Sequence, residues 1–299
     1  MERKTISKLC YTLLISILAM LFAASIMGAA IALAITNISV FNSVLILSNA
    51  VGLIILYFLY KFLIKDIPSY NIEKEKLPLN AFILLFLSCI GISTLFAYVG
   101  IGLNMGIEYI ITGATQSLSD SNILADVLSD VPVGVTIFYA VLIGPFLEEL
   151  IFRKLLISKL RPFGYVRSIV VSAVLFGAYH MNFEQFFYAT FIGIILGAVY
   201  YRTGEIKYTI VLHMLINFSS VFTSIILVDY TIIANSIYLC LNLFGIIAFF
   251  AFCIKWLKKK PEETPLIISA KDTWCNLGMI IYLIFCIGTS VVYSFAFLA

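Results

Sequence analysis

The chain has 299 residues, of which 62% are hydrophobic and only 12% are charged, and its mean hydropathy is +1.08. Soluble domains carry roughly 25% charged residues, so this composition excludes an ordinary water-soluble enzyme and indicates a protein embedded in a membrane. The formal net charge is only +3, and we infer no nucleic-acid partner from it.

Nine apolar segments approach or exceed the roughly 20 residues that cross a bilayer as a helix. They predict spans near 10–36, 42–64, 79–103, 132–152, 168–181, 184–201, 208–228, 232–257 and 275–298. The fifth segment is short, so the pair over 168–201 need not cross completely. The sequence therefore predicts an all-α, polytopic helical bundle with about eight or nine transmembrane helices, forming a single integral domain over residues 1–299.

The first segment has the charge pattern of a secretory signal, because Arg3, Lys4 and Lys8 precede the apolar run. Its apolar core is longer than the typical 7–15 residues of a signal peptide, and no clear cleavage motif follows it. We interpret it as a signal anchor that stays in the protein.

The basic residues predict the orientation of the chain. If the amino terminus is cytoplasmic, all nineteen lysines and arginines fall at cytoplasmic ends or loops. The long loop 104–131 has no basic residue and carries the acidic residues Glu108, Asp120, Asp126 and Asp130. We therefore predict a multi-pass protein of the cell membrane with a cytoplasmic amino terminus.

The six cysteines are scattered through apolar spans without a C-x-x-C pair. This spacing favours buried small hydrophobic residues over a disulfide framework or a zinc site.

Ionisable residues in the spans concentrate in one region of the chain. Both histidines, His180 and His213, and the adjacent acids Glu148 and Glu149 lie in apolar stretches within about seventy residues. One ionisable residue at the centre of a spanning helix costs roughly 2.5–3.5 kcal/mol. Four of them together indicate a reaction or an ion pathway rather than packing.

Neighbouring acids on a helix point about 100° apart, so Glu148 and Glu149 should have different roles. Arg153 follows Glu149 by four residues, a spacing that predicts an ion pair between them and leaves Glu148 able to react. The alternative is a helix end at which Glu149 and Arg153 pair at the cytoplasmic edge and Glu148 lines a wet crevice.

Two further polar motifs follow. Phe176 and His180 lie one helical turn apart, and His213 and Asn217 share one face of a later helix. Alone, His180 would be explained by a hydrogen bond to a backbone carbonyl, and His213 with Asn217 by an interhelical bridge. Between the motifs, glycines four residues apart, Gly193 and Gly197, predict a close-packing face that brings these helices together.

These residues resemble the CAAX protease and bacteriocin-processing family, which is related to the type II CAAX prenyl endopeptidase. The resemblance lies in three motifs in order, E-E-x-x-x-R, F-x-x-x-H and H-x-x-x-N, and extends to the Arg202-Thr203-Gly204 turn. It covers roughly residues 138–220, within a catalytic core that we expect over 132–228. One departure is Lys154, where bacterial relatives usually have glycine, so the local backbone is expected to differ.

The resemblance implies an integral membrane endopeptidase that cleaves near the cytoplasmic face without a metal. Amide hydrolysis needs a base for water, donors for the oxyanion and an acid for the leaving amine. We assign Glu148 as the general base, His180 as the group that holds the water, and His213 and Asn217 as the oxyanion donors. The remaining motif residues, Glu149, Arg153 and Phe176, are expected to hold these four groups in place.

The alternative with a cofactor is a zinc site made by Glu148, His180 and His213. The absence of H-E-x-x-H, and an asparagine beside His213, favour hydrogen bonding over zinc ligation. The expected partners are the lipid bilayer and peptide or protein substrates, with or without a lipid anchor. Relatives act in prenyl-protein processing, peptide-leader processing and bacteriocin immunity, and nothing in the sequence selects among these.

Two other functions remain as alternatives: a proton-coupled membrane carrier and a non-catalytic immunity or interaction protein. A carrier would need acidic or histidine residues at successive depths, and the predicted spans within 10–103 and 232–298 offer none. Depth also raises a difficulty for the peptidase. If Arg153 and Arg167 mark the surface, Glu148 lies about 7 Å and His180 about 20 Å into the membrane, too far apart to meet.

Overall fold

The computed structural model describes residues 2–32, 35, 37–113, 131–223, 231–252, 266 and 268–295. All regular secondary structure in these residues is helical, which confirms the predicted all-α polytopic bundle. Ten helices follow in chain order: α1 Glu2–Ala32, α2 Ile38–Leu63, α3 Leu79–Thr112, α4 Val133–Phe163, α5 Tyr165–Tyr179, α6 Phe183–Thr203, α7 Ile206–Val221, α8 Thr231–Phe252, α9 Ala270–Trp274 and α10 Leu277–Phe295.

Six of the described helices are long and apolar enough to cross a membrane, namely α1, α2, α3, α4, α6 and α10. Three shorter apolar segments, Tyr165–Tyr179, Ile206–Val221 and Leu239–Ala251, complete the set. Each of the nine predicted spans overlaps one of these helices. Six long helices and three shorter apolar segments agree with the predicted polytopic bundle.

The loop predicted over 104–131 begins later than expected. Helix α3 continues to Thr112 and ends at Gly113, whose φ of +71° is a left-handed conformation that glycine adopts without strain. Residues 114–130, with the predicted acidic positions 120, 126 and 130, lie outside the described residues.

Helix α4 is not a regular α-helix. Ile137–Ile143 and Leu150–Ile157 are wound as π-helix, with the α-helical segment Gly144–Glu149 between them. Gly144 donates its N–H to the carbonyl of Tyr139, five residues back, and Pro145 has no N–H to donate. Segments of π-helix inside α-helices are frequent at functional sites. The two acids therefore lie on a short α-helical segment between two wider ones.

Helices α5 and α6 form a tightly packed antiparallel hairpin. A Cβ placed on Gly193 would lie 3.1 Å from the Cα of Ala173, and one on Gly197 would lie 3.3 Å from Ile169. Gly177 on α5 makes the reverse contact, because a Cβ there would overlap the backbone of Phe186 on α6. Glycines on both helices thus let the backbones approach, as the sequence predicted.

Basic segments from separate parts of the chain meet at one end of the bundle, which we call the basic end. Three backbone hydrogen bonds join the α2–α3 loop and the segment before α9 to the ends of α4 and α6: Tyr70 N to Ser158 O (2.9 Å), Glu75 N to Thr203 O (2.8 Å) and Leu266 N to Pro162 O (2.8 Å). Lys8 also pairs with Asp66, which ties α1 to the same end. The turn Arg161–Gly164 between α4 and α5 lies there.

This turn removes the difficulty of depth. Arg153 does not mark the membrane surface, as had been assumed, because its side chain is completely buried. The two helices reverse at Gly164, with Glu148 sixteen residues before it and His180 sixteen residues after it. The two residues therefore lie at similar heights in the hairpin, roughly 20–24 Å of helix from the turn. Glu148 is also the middle residue of α4, Val133–Phe163.

Candidate active site

A buried ion pair forms the base of the site. Glu149 and Arg153, four residues apart on α4, lie with Oε2 and Nε 3.2 Å apart, and neither side chain is exposed. The guanidinium also lies over the ring of Phe176 on α5, with Cζ 4.3 Å from the ring centroid. The carboxylate and the aromatic face compensate part of the free energy lost when the guanidinium leaves water. The predicted pairing of Glu149 with Arg153 is what the structure shows.

His213 on α7 contacts both acids. Its Nδ1 lies 3.0 Å from Oε1 of Glu149, within hydrogen-bonding distance, and its Nε2 lies 3.8 Å from Oε2 of Glu148. Since a carboxylate only accepts, the Nδ1–H of His213 donates to Glu149. Glu149 is therefore held by His213 and Arg153 together, whereas Glu148 has no direct hydrogen bond to the imidazole at 3.8 Å.

Glu148 differs from Glu149 in its exposure. Its side chain is 14% exposed, whereas that of Glu149 is fully buried. Two partly buried tyrosines, Tyr139 and Tyr179, lie within electrostatic reach of Glu148. The two adjacent carboxylates therefore differ: Glu149 is buried and bound by the protein, whereas Glu148 is partly exposed.

His180 is held at the end of α5 by its own backbone surroundings. Its Nδ1 lies 2.9 Å from the carbonyl oxygen of Phe176, so Nδ1 carries the proton and Nε2 keeps a lone pair. Met181 follows with φ +52°, a left-handed conformation that is uncommon for a side-chain-bearing residue. Asn182 stabilises this turn, because its amide donates to His180 O at 3.1 Å and its carbonyl accepts from Gln185 N at 2.8 Å.

The ring of Phe176 lies between the two histidines. It meets His180 edge to face with centroids 4.9 Å apart, and His213 in the same way at 5.8 Å. Its other neighbours are Arg153 and Phe152, whose ring centroid lies 5.1 Å away. The motif phenylalanine thus sets the spacing between the histidine-bearing helices.

Asn217 lies on the same face of α7 as His213, as predicted, but its side chain has a partner that the sequence did not indicate. Its Nδ2 donates to the backbone carbonyl of Ala140 on α4 at 2.8 Å. The amide has a second N–H, which this contact does not use.

Sequence reasoning missed several neighbours of the site. Thr209 lies one turn before His213 and faces Glu149, so its position on the face of α7 was the available signal. Tyr139, Tyr179 and Pro145 belong to none of the three motifs. The only sequence signal for them is their position next to motif residues or on the same helix.

The predicted alternative zinc ligands were Glu148, His180 and His213. In the described part of the chain, no group of three or more histidine, cysteine or acidic side chains is arranged to hold a metal ion. The described cysteines are free: Cys10, Cys89 and Cys286 are buried, and Cys240 and Cys275 are exposed. Cys253 lies outside the described residues.

Comparison with known proteins gives a match over the same region. Residues 131–219 match the model of the family described as Rce1-like, type II CAAX prenyl endopeptidase Rce1-like. The resemblance drawn from the three motifs is confirmed. The matched segment contains every motif residue from Glu148 to Asn217 and runs from α4 to α7.

A curated relative gives a second comparison. The chain is 29% identical over 136 residues to a Bacillus subtilis (strain 168) protein named "Putative membrane peptidase YdiL". The alignment covers 43% of this chain and 55% of that protein, so the chain spans about half the length of the relative it matches. No solved structure matches the chain.

Proposed function

We propose that this protein is an intramembrane endopeptidase in which Glu148 activates a water molecule to hydrolyse a peptide bond. The proposal is supported by the different surroundings of the adjacent acids. Glu149 is buried and bound by Arg153 and His213, whereas Glu148 is partly exposed beside His213. The similarity of residues 131–219 to the Rce1-like family and to a named membrane peptidase supports the same reaction class.

The proposed oxyanion role of His213 requires a hydrogen on each ring nitrogen, because Nδ1–H is already used by Glu149. The Nε2–H then points toward Glu148, whose Oε2 lies 3.8 Å away. A cationic donor in a water-poor site stabilises a developing oxyanion strongly. His213 therefore serves as the principal oxyanion donor.

In the proposed reaction, Glu148 takes a proton from water while Nε2 of His180 accepts a hydrogen bond from the same molecule. The water oxygen then attacks the peptide carbonyl carbon. The oxyanion accepts hydrogen bonds from Nε2–H of His213 and from the second amide N–H of Asn217. Glu148 next passes its proton to the leaving nitrogen, the C–N bond breaks, and the products are a carboxylic acid and an amine.

No step needs a metal, so we propose that the enzyme works without a cofactor. The substrates are proposed to be peptides or proteins associated with the bilayer, with or without a lipid anchor, that approach from the cytoplasm.

The proposal is tested by replacing the base. Glu148→Gln keeps the size of the side chain and most of its hydrogen bonding but removes the proton acceptor. Proteomics of membrane peptides from cells carrying wild type or Glu148→Gln should reveal a peptide that accumulates uncut in the variant. With that peptide and purified protein, activity should fall by at least about 100-fold.

Glu73→Gln is the matched control, because Glu73 is an exposed glutamate in the α2–α3 loop at the basic end. It should process the peptide as wild type does. A Glu148→Gln protein that cuts the peptide at nearly the wild-type rate would eliminate the proposed mechanism.

A further inference from the structure

In α4, the backbone carbonyl of Ala140 has no hydrogen-bond donor at the usual helical positions. In an α-helix, the carbonyl of Ala140 would accept from the N–H of residue 144, and in a π-helix from that of residue 145. Here Gly144 donates to Tyr139 instead, and residue 145 is proline. Neither residue that could reach the Ala140 carbonyl within the helix supplies a hydrogen.

An unpaired carbonyl is unfavourable in the centre of a membrane protein, because no bulk water is present to satisfy it. Asn217 supplies the missing donor, with its Nδ2 2.8 Å from the Ala140 oxygen. The contact joins α7 to α4 across 77 residues of sequence. Ala140 lies in the π-helical segment Ile137–Ile143, which ends five residues before Glu148.

We propose that Asn217 is a positioning residue, whose amide binds the carbonyl that Pro145 leaves without a donor and so fixes the π-helical turn that aims Glu148. Pro145 and Asn217 act together. The proline leaves the Ala140 carbonyl without a donor, and the asparagine binds this carbonyl and so holds α4 against α7. His213, one turn earlier on α7, holds the other end of the same segment through Glu149. The two contacts fix Glu148 in height and in rotation.

This role rests on the proposed function, and it adds to the oxyanion role of Asn217 rather than replacing it. The two roles use different hydrogens of one amide and respond differently to Pro145. Pro145→Ala restores an N–H to α4, so the Ala140 carbonyl no longer depends on Asn217. An oxyanion donor, by contrast, is equally necessary whether residue 145 is proline or alanine.

The test is a double-mutant cycle with Asn217→Ala and Pro145→Ala, measured by thermal unfolding of the purified full-length protein and by peptide hydrolysis. Alone, Asn217→Ala should lower Tm and reduce kcat by roughly 10-fold or more, with a smaller change in KM. In the Pro145→Ala background, the same substitution should lower Tm much less and reduce kcat by a smaller factor. Equal effects of Asn217→Ala in both backgrounds would overturn the proposal.

Ser220→Ala is the control on α7, because Ser220 is exposed on the same helix. Its effect should be small and independent of residue 145. Pro145→Ser also restores an N–H and serves if Pro145→Ala does not fold. If neither proline variant folds, Asn217→Ser and Asn217→Val replace the cycle. Valine, which has no donor, should lower Tm more than serine does, and equal Tm values would overturn the proposal.

The unfolding measurements keep this inference separable from the proposed function. If the wild-type protein hydrolyses no peptide, the peptidase proposal fails, while the Tm cycle still tests the contact between Asn217 and α4. If the protein is active and the cycle shows no coupling, the peptidase proposal stands and the positioning role fails.

Discussion

The Glu149–Arg153 pair contributes little stability by itself, because the loss of hydration of two buried ions offsets most of their attraction. Its importance lies in what happens when it is broken. In the described structure, the guanidinium nitrogens of Arg153 make no hydrogen bond. Their neighbours are the Glu149 carboxylate and the Phe176 ring. Loss of the Glu149 charge would remove the ion-pair partner of a fully buried cation.

We therefore predict that Glu149→Gln lowers the free energy of unfolding by about 3–5 kcal/mol, whereas Glu148→Gln leaves it nearly unchanged. The physical reason is that Glu148 is partly exposed, whereas Glu149 is fully buried against Arg153. Thermal unfolding in detergent measures the difference. The double variant Glu149→Gln with Arg153→Met removes the orphaned charge and should recover most of the lost stability. A Glu149→Gln protein as stable as wild type would contradict the buried pair.

The two histidines also bear on the question of metal. Each has its Nδ1 engaged by a protein acceptor, Phe176 O for His180 and Glu149 for His213, which leaves Nε2 directed at the site. If His213 is an oxyanion donor, purified enzyme should contain less than one zinc per chain and keep its activity after prolonged chelation. Metal analysis and the hydrolysis assay check this. Activity that disappears with chelator and returns with zinc alone would establish the alternative with Glu148, His180 and His213 as ligands.

At the scale of helices, the α5–α6 hairpin is what places His180 opposite Glu148. Gly193 is central to it, because a Cβ there would lie 3.2 Å from the Cβ of Ala173 and 3.3 Å from the ring of Phe176. That ring in turn separates His180 from His213. The small side chain at this position therefore connects helix packing to the geometry of the site.

Gly193→Leu should push α6 away from α5, destabilising the protein by about 1–3 kcal/mol, and reduce activity by at least about 10-fold. Thermal unfolding and peptide hydrolysis measure the two effects. Gly102→Leu on α3 is the control, since no atom of the described residues lies within 4 Å of a Cβ placed there. Its Tm and activity should stay close to wild type. Equal losses in the two variants would show that Gly193 has no special packing role.

The helices also show which parts of the site could be predicted from the sequence. The spacing between Glu149 and Arg153 predicted their ion pair, because residues four apart meet on a helix even where the winding changes. The contact of Asn217 with Ala140 could not be predicted in this way. It depends on a backbone carbonyl, which has no sequence signature, and on the local π-helix around Pro145. Hydropathy likewise located the helices but not their heights, because Arg153 was read as a surface marker.

At the scale of the whole molecule, the basic end gives the bundle its electrostatic polarity. The amino terminus of α1, the α2–α3 loop, the α4–α5 and α6–α7 turns and the segment before α9 meet there. This clustering is what a cytoplasmic face requires under the positive-inside rule, and it is the basis for our proposal that the amino terminus is cytoplasmic. The far end is marked by the last turn of α3, where Ile110 is 82% exposed.

Because Glu148 lies near the middle of α4, a polar reagent can reach it only through an opening in the protein. We predict that this opening faces the basic end and the cytoplasm. On a cysteine-free background, cysteines that replace Tyr139 and Met214, neighbours of Glu148 and His213, should react with a small polar reagent supplied from the cytoplasmic side. Bound substrate should protect them.

Two surface positions calibrate the labelling. A cysteine in place of Lys74, which is exposed in the α2–α3 loop, should react only from the cytoplasm, and one in place of Ile110 only from outside. Ser119, in the loop predicted over 104–131, would be the natural external position, but it lies outside the described residues, so Ile110 is used instead. The cysteines at positions 74 and 110 can label as expected while the site cysteines react only from outside. In that case the cytoplasmic amino terminus stands, and the opening faces the outside. The substrate would then enter as an exported peptide. If Lys74 itself labels only from outside, the assignment of the basic end to the cytoplasm is wrong.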